Sequence, residues 1–426
     1  MLKELTVKNF KSFKNETTLS MEADYKRVLE YPEHIVNIND NKLLKIASIY
    51  GPNGGGKSNL LKAIMLLKSL IQSQLLPLRL DEYTKCVFSN DNNIDLTAFF
   101  VDEDYEIGYS AEFTVIPNNN LDGRVDYLYR MDKNPYIILS EEIVFRRNGE
   151  EDFTQFLLRD KTGSIDCKML SQLSIPLPQI AQSKSIVTKI YEDFANNDYS
   201  TIESFEIFKR LYRQIDSICM LDSRFDDMFY EGIHNLKTIE LLQQNSNFKS
   251  RLITLLKSVD INIDNIAFDE KNIYFERYID INGEKKLKRL PLSQESRGTQ
   301  KIFDIFLYLI KNDKKNVIYL FDDMNSYLHP KLSRAIYEWF TSADNKNSQL
   351  IFNSHDILNM CKEIFRRDEI WFAYRDENYS TNLIPLSNVV NPYGKQVRND
   401  AVYSKQYLEG KYGADPFIEK GLNWNE

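Results

Sequence analysis

The clearest chemistry in the sequence lies in eight residues, Gly51-Pro52-Asn53-Gly54-Gly55-Gly56-Lys57-Ser58. They fit G-x-x-x-x-G-K-[ST] at every fixed position. Glycines let the backbone curl, so that the N–H groups of Asn53, Gly54, Gly55 and Gly56 can point at phosphate oxygens. The start of a following helix adds a favourable dipole. Lys57 would neutralise the outer phosphates, and Ser58 would offer an oxygen to Mg²⁺. Taken blandly, the segment is a glycine-rich turn from strand to helix. The lysine, the serine and both flanks argue for the phosphate cradle.

A second constellation closes the apolar run Val317-Ile318-Tyr319-Leu320-Phe321 with Asp322-Asp323. A strand buried on both faces releases its polar residues at its C-terminal edge, where open α/β sheets hold ligands. Asp322 would hold Mg²⁺, directly or through water, and Asp323 would orient or activate the attacking water. Alone, two acids after an apolar run also describe a solvated strand end. Gln349-Leu350-Ile351-Phe352-Asn353 is a third such strand, followed by Ser354-His355. His355 there can hydrogen-bond a γ-phosphate or the attacking water, and it also fits a plain turn histidine. His329 precedes Pro330, a helix-start signal, and is assigned a structural role. Finally, Leu292-Ser293-Gln294-Glu295-Ser296-Arg297-Gly298-Thr299 runs into a helix. Ser296-x-Gly298 makes a second anion-binding geometry, or simply a helix cap. One head needs one cradle, so a second predicts a head-to-tail pair of subunits with ATP sandwiched between them.

These residues need a scaffold. The spacing predicts strand, turn, strand over residues 1–24, a buried strand at Lys45–Tyr50 and a helix from Ser58 to Leu76. Residues 85–160 break into strands, with turn signals at Asn118–Asn120 and Asp122-Gly123. Four stretches between 183 and 265 fit a helical period: KSIVTKIYEDFANN, IESFEIFKRLYRQIDSICM, HNLKTIELLQQ and NFKSRLITLLKSV. Strands return at NIAFDE, NIYFERYID and KLKRLPLS, with a hairpin signal at Asn282-Gly283. Helix Thr299–Lys311, strand Asn316–Phe321, helix Pro330–Thr341, strand Gln349–Asn353 and helix Asp356–Arg366 then alternate, which implies a parallel sheet. The expected organisation is an α/β head built from both ends of the chain. Residues 1–182 and 267–426 form the head, the former with an antiparallel β subdomain, and 183–266 is a helical insert.

The 426 residues carry a net charge of −8 and 27% charged side chains, an ordinary globular composition. No run of about 20 apolar residues exists, so no membrane helix is expected. The start MLKELTVKNFKSF lacks the apolar core of a signal peptide, and a cytoplasmic location is expected. Cys86, Cys167, Cys219 and Cys361 form no CxxC pair, so neither a disulfide framework nor a zinc site is indicated. The mild acidity argues against a dedicated nucleic-acid binder and leaves a local basic patch open. Lys285-Lys286-Leu287-Lys288-Arg289 and Arg366-Arg367 are the candidates, and a solvated face is the favoured reading of each.

Together these pieces resemble the ABC-type ATPase heads of the SMC, RecF and OLD group. More narrowly, the chain looks like the AAA-family ATPases of bacterial phage-defence and abortive-infection systems. The resemblance rests on LKELTVKNFKSF, IYGPNGGGKSNLLKAI, SQESRGTQ, IYLFDDMNSYLHP, IFNSHD and RNDAVYSKQYLEGKYGADP. It implies a P-loop NTPase head with a mixed sheet, using ATP and Mg²⁺. Lys57 and Ser58 take the Walker A roles, Asp322 the Walker B role, Ser296 and Gly298 the signature contact in trans, and His355 the switch role. Asp323 stands where such heads usually carry glutamate. A displacement of about 1 Å can cost on the order of 100-fold in rate, so slow hydrolysis is expected. Asn325 stands where relatives often carry an acid. No glutamine loop can be placed, since Gln72 and Gln74 fall too early. Only 71 residues follow His355, without the carboxylate set of a TOPRIM nuclease, so a separate effector is expected. The expectation is thus a homodimeric, ATP-gated sensor and scaffold that controls a nuclease or other toxin. A RecF-like DNA-maintenance ATPase is the alternative. A stand-alone nuclease is disfavoured, because two-metal chemistry needs more ligands than Asp322 and Asp323.

Overall fold

The computed structural model describes residues 1–27, 29–72, 83–115, 136–167, 184–194, 205–221, 236–269, 272–312, 315–390, 394, 396–398 and 401–414. The turn signals at Asn118–Asn120 and Asp122-Gly123, Gln74, the expected helix end at Leu76 and the tail beyond Ala414 lie outside them. The chain divides into two compact units. The first comprises Met1–Met220, Val317–Asp322 and Tyr337–Glu426, and the second Leu221–Asn316 and Asp323–Ile336.

In chain order, the first unit opens with β1 (Leu2–Lys8), β2 (Thr17–Ser20), β3 (Ile35–Ile38), β4 (Asn41–Leu44) and β5 (Ile46–Tyr50). Helix α1 (Lys57–Ile71) follows the glycine loop. Then come β6 (Asn93–Val101), β7 (Tyr105–Val115), β8 (Tyr136–Arg147), β9 (Thr154–Arg159), β10 (Ile165–Asp166), α2 (Ile186–Phe194), α3 (Phe205–Asp216) and β11 (Ile218–Met220). The second unit holds α4 (Leu236–Gln244), α5 (Ser246–Ser258), β12 (Asn265–Phe268), β13 (Ile273–Ile281), β14 (Glu284–Pro291) and α6 (Arg297–Lys311). The chain continues through β15 (Ile318–Phe321), α7 (Pro330–Thr341), β16 (Gln349–Asn353), β17 (Ile370–Arg375), β18 (Thr381–Pro385) and α8 (Tyr403–Leu408).

Among the described residues the first unit holds two large sheets and a two-stranded one, β3–β4. One large sheet has the order β10-β9-β8-β7-β6-β1-β2 and is antiparallel throughout. Its strand β6 alternates buried and half-buried residues, as a sheet with one covered face requires. The other has the order β11-β15-β16-β5-β17-β18. Its first five strands are parallel and only β18 runs against them. IASIY, IYLF and QLIFN are buried at every position, the pattern of parallel strands covered on both faces. A buried amide ties strands of the two sheets together. Leu2 N–H donates to Gln349 Oε1 (2.8 Å), and Gln349 Nε2 donates to Leu2 O (2.9 Å) and Leu44 O (3.1 Å). Such full satisfaction is what a buried carboxamide demands. In the second unit, β12, β13 and β14 form an antiparallel sheet. Asn282 (φ 56°) and Gly283 (φ 83°) make the expected two-residue hairpin between β13 and β14.

Two expectations fail. The helical pattern read through Cys219 and Met220 ends at Asp216, and Ile218–Met220 pairs in parallel with Ile318–Leu320. Lys68 Nζ donates to the carbonyls of Asp216 (2.9 Å) and Ile218 (2.8 Å), fixing the chain where it leaves the helix. Burial holds this ammonium below the usual lysine range. Asp356–Arg366 forms turns, not a helix. Its side chains serve the local backbone instead: Leu358 N–H donates to Asp356 Oδ1 (2.8 Å), Asp356 N–H to Ser354 Oγ (2.9 Å), and Asn359 Nδ2 to Asp356 Oδ2 (3.0 Å). Asp, Asn and Ser offer this alternative to helical bonding. Among the described residues no helix is long and apolar enough to cross a membrane.

Candidate functional site

The apolar run of β5 ends at Tyr50, and the chain must turn sharply before α1. Gly54 and Gly56 take left-handed φ values of 75° and 104°. Close approach matters as much. A Cβ on Gly51 would sit 2.0 Å from the Ala373 carbonyl oxygen of β17. One on Gly56 would sit 2.2 Å from Thr381 Oγ1 of β18. Gly55 N–H donates to Pro52 O (3.0 Å) and Leu60 N–H to Gly56 O (3.1 Å), so the loop closes directly into the first turn of α1.

Beneath the loop lies a small polar hub. Thr381 Oγ1 donates to Gly55 O (3.1 Å) and pairs with the Ser12 hydroxyl (2.8 Å), whose oxygen accepts from Asn59 Nδ2 (2.8 Å). Thr381 N–H donates to Ser12 O (2.8 Å). These bonds join two distant parts of the chain, around Ser12 and Thr381, to the loop and the start of α1. Lys57 is buried, and its Nζ donates to Gly51 O (2.8 Å) and Pro52 O (2.9 Å). The cation is thus held against the loop itself.

Ser58 Oγ donates to Asp322 Oδ1 (2.7 Å), joining the first turn of α1 to the end of β15. Asn353, the last residue of β16, bonds both: its Nδ2 donates to Asp322 Oδ1 and to Ser58 Oγ (3.3 Å). Three neighbouring strands, β15, β16 and β5, therefore deliver polar groups to one edge. The Ser58 and Asp322 oxygens suit Mg²⁺, a hard cation that takes oxygen ligands. Octahedral bonds of 2.0–2.1 Å place adjacent ligand oxygens about 2.9 Å apart, close to the 2.7 Å between these two. His355 follows on the same edge, exposed, one residue after the buried Ser354, whose N–H donates to Ile49 O (3.1 Å).

The second unit carries the remaining residues. Asp323 has φ 54°, a left-handed conformation that aspartate tolerates better than most. Ser326 Oγ donates to Asp323 Oδ2, Ser326 N–H to Asp323 O (3.0 Å), and Lys301 Nζ to Asp323 O (2.9 Å). Ser296 is the N-cap of α6: its Oγ accepts from Thr299 N–H (3.1 Å). Gly298 lies against the Tyr327 carbonyl, where a Cβ would come within 2.5 Å. Arg297 Nη1 donates to Tyr327 Oη (2.7 Å), with the guanidinium 5.3 Å above that ring. His329 accepts from Lys331 N–H at Nδ1 (3.2 Å) and from Leu332 N–H at its carbonyl (2.8 Å), as a helix-start residue does.

Sequence reading missed Asn353, Ser12, Asn59 and Thr381. Asn353 had a signal, because it closes a buried apolar strand as Asp322 does. Ser12 and Thr381 had none.

The model of the family described as "AAA domain, putative AbiEii toxin, Type IV TA system" matches residues 46–360. The chain belongs to this AAA-domain family. The matched span contains the glycine loop, Ser296, Gly298, Asp322, Asp323 and His355. Membership makes this AAA-domain protein a member of the P-loop ATPases, which use a nucleotide and usually Mg²⁺. No curated protein matches the chain. Among solved structures it is similar to the SMC head domain from Thermotoga maritima, at 16% identity over 90% of this chain and 98% of that one, with a TM-score of 0.41. It is also similar to an Smc head domain with an extended coiled coil, derived from Pyrococcus furiosus and bound to the C-terminal domain of ScpA. That match has 12% identity over 90% of this chain and 95% of the other, with a TM-score of 0.40.

Proposed function

We propose that this AAA-domain protein binds and hydrolyses ATP as the sensor and scaffold of an anti-phage, abortive-infection system. Two copies would close on two nucleotides, and the closed state would hold or release a separate effector, a nuclease or other toxin. The observation that carries the nucleotide reading is the meeting of Ser58, Asp322 and Asn353 beside the glycine loop. In this reading the loop N–H groups and Lys57 bind the phosphates, and Ser58 and Asp322 hold Mg²⁺. Asp323 and His355 attend the attacking water. Ser296 and Gly298, exposed and half-buried at the start of α6, contact the nucleotide of the partner copy. The AbiEii toxin and toxin–antitoxin system in the family description support the defence role.

The test has two parts. The chain would be purified from its own locus with ATP and Mg²⁺, and its native mass measured. A stable assembly with a second, effector-like protein is expected. In parallel, Asp323→Asn should bind ATP and accumulate as a dimer; a monomer in saturating ATP would sink the sandwich.

A second reading, a DNA-maintenance ATPase, draws support from the β13–β14 hairpin. Lys285, Lys286, Lys288 and Arg289 are all exposed there. If that reading holds, the chain alone binds DNA, and binding falls steeply with salt. Lys285→Ala and Lys288→Ala should then each lower the logarithmic salt slope by about 1.

A further inference from the structure

An exposed aromatic surface lies beside the glycine loop. The rings of Phe88 and Tyr379 stack, with centroids 5.0 Å apart and planes 20° from parallel. Yet Phe88 is 45% exposed and Tyr379 58%, and the nearby Val87 and Tyr83 are 57% and 63% exposed. The stacked pair thus presents aromatic surface to water.

Its position is fixed by backbone. Strand β17 runs parallel to β5, so the turn leaving β17 opens on the sheet edge where the loop leaves β5. Tyr379 sits in that turn, its N–H donating to Asp376 O (3.0 Å). Two residues later comes Thr381, whose hydroxyl donates to Gly55 O. A span of two residues covers at most about 7 Å between Cα atoms. Phe88 arrives from the other side. Its segment is pinned by Lys11 N–H donating to Thr84 O (2.8 Å) and Cys86 N–H donating to Asn9 O (3.1 Å). Those anchors, Asn9 and Lys11, lie within the three residues before Ser12, the hydroxyl partner of Thr381. Both rings are therefore tethered to the two residues that underlie Gly55 and Gly56.

We propose that Phe88 and Tyr379 are the stacking platform for the purine ring of the nucleotide whose phosphates the Gly51–Ser58 loop binds. The inference rests on the nucleotide reading above and adds the residues that hold the base. Backbone N–H groups recognise phosphates and carry no preference for a base. An aromatic face supplies affinity for any purine through its π-surface. The apolar shelf beside the loop gives such a ring a place to leave water.

The experiment measures two affinities on the full chain by calorimetry, with metal withheld so that nothing turns over. The probes are ATP and inorganic tripolyphosphate. The variants are Phe88→Ser and Tyr379→Asn; asparagine suits the φ of 59° at that position. Each should weaken ATP by roughly 5- to 150-fold, the factor of one lost base–aromatic stack, and leave tripolyphosphate unchanged. Tyr379→Phe should keep the affinity for ATP. Because the two rings stand on different elements, Phe88→Ser serves alone if Tyr379→Asn does not fold, as judged by its melting curve. Unchanged ATP affinity overturns the platform and leaves the phosphate loop intact. Equal weakening of both probes also overturns it, since the rings would then only prop the loop. If the unmodified chain binds neither probe, or Lys57→Ala binds both as well as it does, the nucleotide reading fails and the platform with it.

Discussion

Gly56→Ala tests whether the loop is held by packing from behind or merely by its own turn. A methyl on Gly56 would meet Thr381 Oγ1 at 2.2 Å, Thr381 Cγ2 at 2.6 Å and Ser12 Oγ at 2.9 Å. Real Cβ atoms essentially never come within 3.0 Å of a heavy atom beyond their own and adjacent residues. The neighbour must therefore retreat by close to 1 Å. Thr381 cannot do so cheaply. It is fully buried, it is β-branched and stiff, and its hydroxyl is bonded to Gly55 and Ser12. Overpacking of this kind costs about 1–3 kcal/mol, and the left-handed φ of 104° adds about 1–2 kcal/mol for a residue with a side chain. The total is about 2–5 kcal/mol, a large share of the 5–15 kcal/mol that stabilises a typical native protein.

Two controls separate the causes. Gly54→Ala carries the positive φ, at 75°, but meets nothing within 4 Å. It should cost only the conformational part, about 1–2 kcal/mol. Thr381→Ala removes the atoms in the way and a hydrogen-bonded hydroxyl, for about 1–2 kcal/mol by itself. Combined with Gly56→Ala, it should cost less than the two single changes together, a coupling of about 1 kcal/mol or more. Denaturant unfolding of the four variants reads all of this. Equal losses for Gly54→Ala and Gly56→Ala, or strict additivity of the double variant, would refute the clash.

Lys57→Ala should abolish ATP binding in a titration, while Lys57→Arg should weaken it, because the compact ammonium fits the space against Gly51 and Pro52 and a guanidinium does not. Asn353→Ala removes an amide donor from both Ser58 and Asp322. The Mg²⁺ concentration for half-maximal turnover should rise several-fold, while metal-free ATP affinity stays the same. Ser296→Arg should block ATP-dependent dimerisation, followed by light scattering, and spare the affinity of a single subunit. Unchanged dimerisation would remove Ser296 from the interface.

The sequence shows most clearly what is local. The glycine loop, the buried runs before Tyr50 and Asp322 and the Asn282-Gly283 hairpin each carry their signal within a few residues, and the structure places each in the element expected. What escaped detection depends on distant partners. Ser12 and Thr381 lie at opposite ends of the chain, and each alone is an ordinary hydroxyl. The strand at Ile218–Met220 continues a helical period unbroken, and only its pairing with Ile318–Leu320 and the Lys68 clamp turn it into strand. The turns at Asp356–Arg366 failed for a different reason. There the apolar spacing favoured a helix, while three short polar side chains offered the backbone competing bonds. Of the helices within 183–266, α2 and α3 belong to the first unit and α4 and α5 to the second.

The adjacent acids Asp322 and Asp323 read alike in sequence and differ in the structure. Asp322 directly follows Phe321, the last residue of the strand, and is buried, with its Oδ1 taken by Ser58 and Asn353. Asp323 turns out of it at φ 54°, and its carboxylate is bonded within its own turn by Ser326. A left-handed residue redirects the chain within one step, so neighbouring acids serve different partners. The shortness of Asp323 then has two opposed consequences. It permits the turn and the Ser326 bond, and it leaves the carboxylate a methylene short of the reach that glutamate would have. Asp323→Glu separates them. The longer side chain gives up the Ser326 bond and sits less comfortably at positive φ, so the variant should lose about 1 kcal/mol of stability or somewhat more. Its ATP turnover should nevertheless rise, by up to about 100-fold if reach alone limits the step. Ser326→Ala removes the bond without adding reach, so it should lower stability and leave turnover low. If Asp323→Glu turns over ATP no faster than the unmodified chain while still binding it, reach is not what sets the rate, and the expectation of slow hydrolysis loses its physical basis.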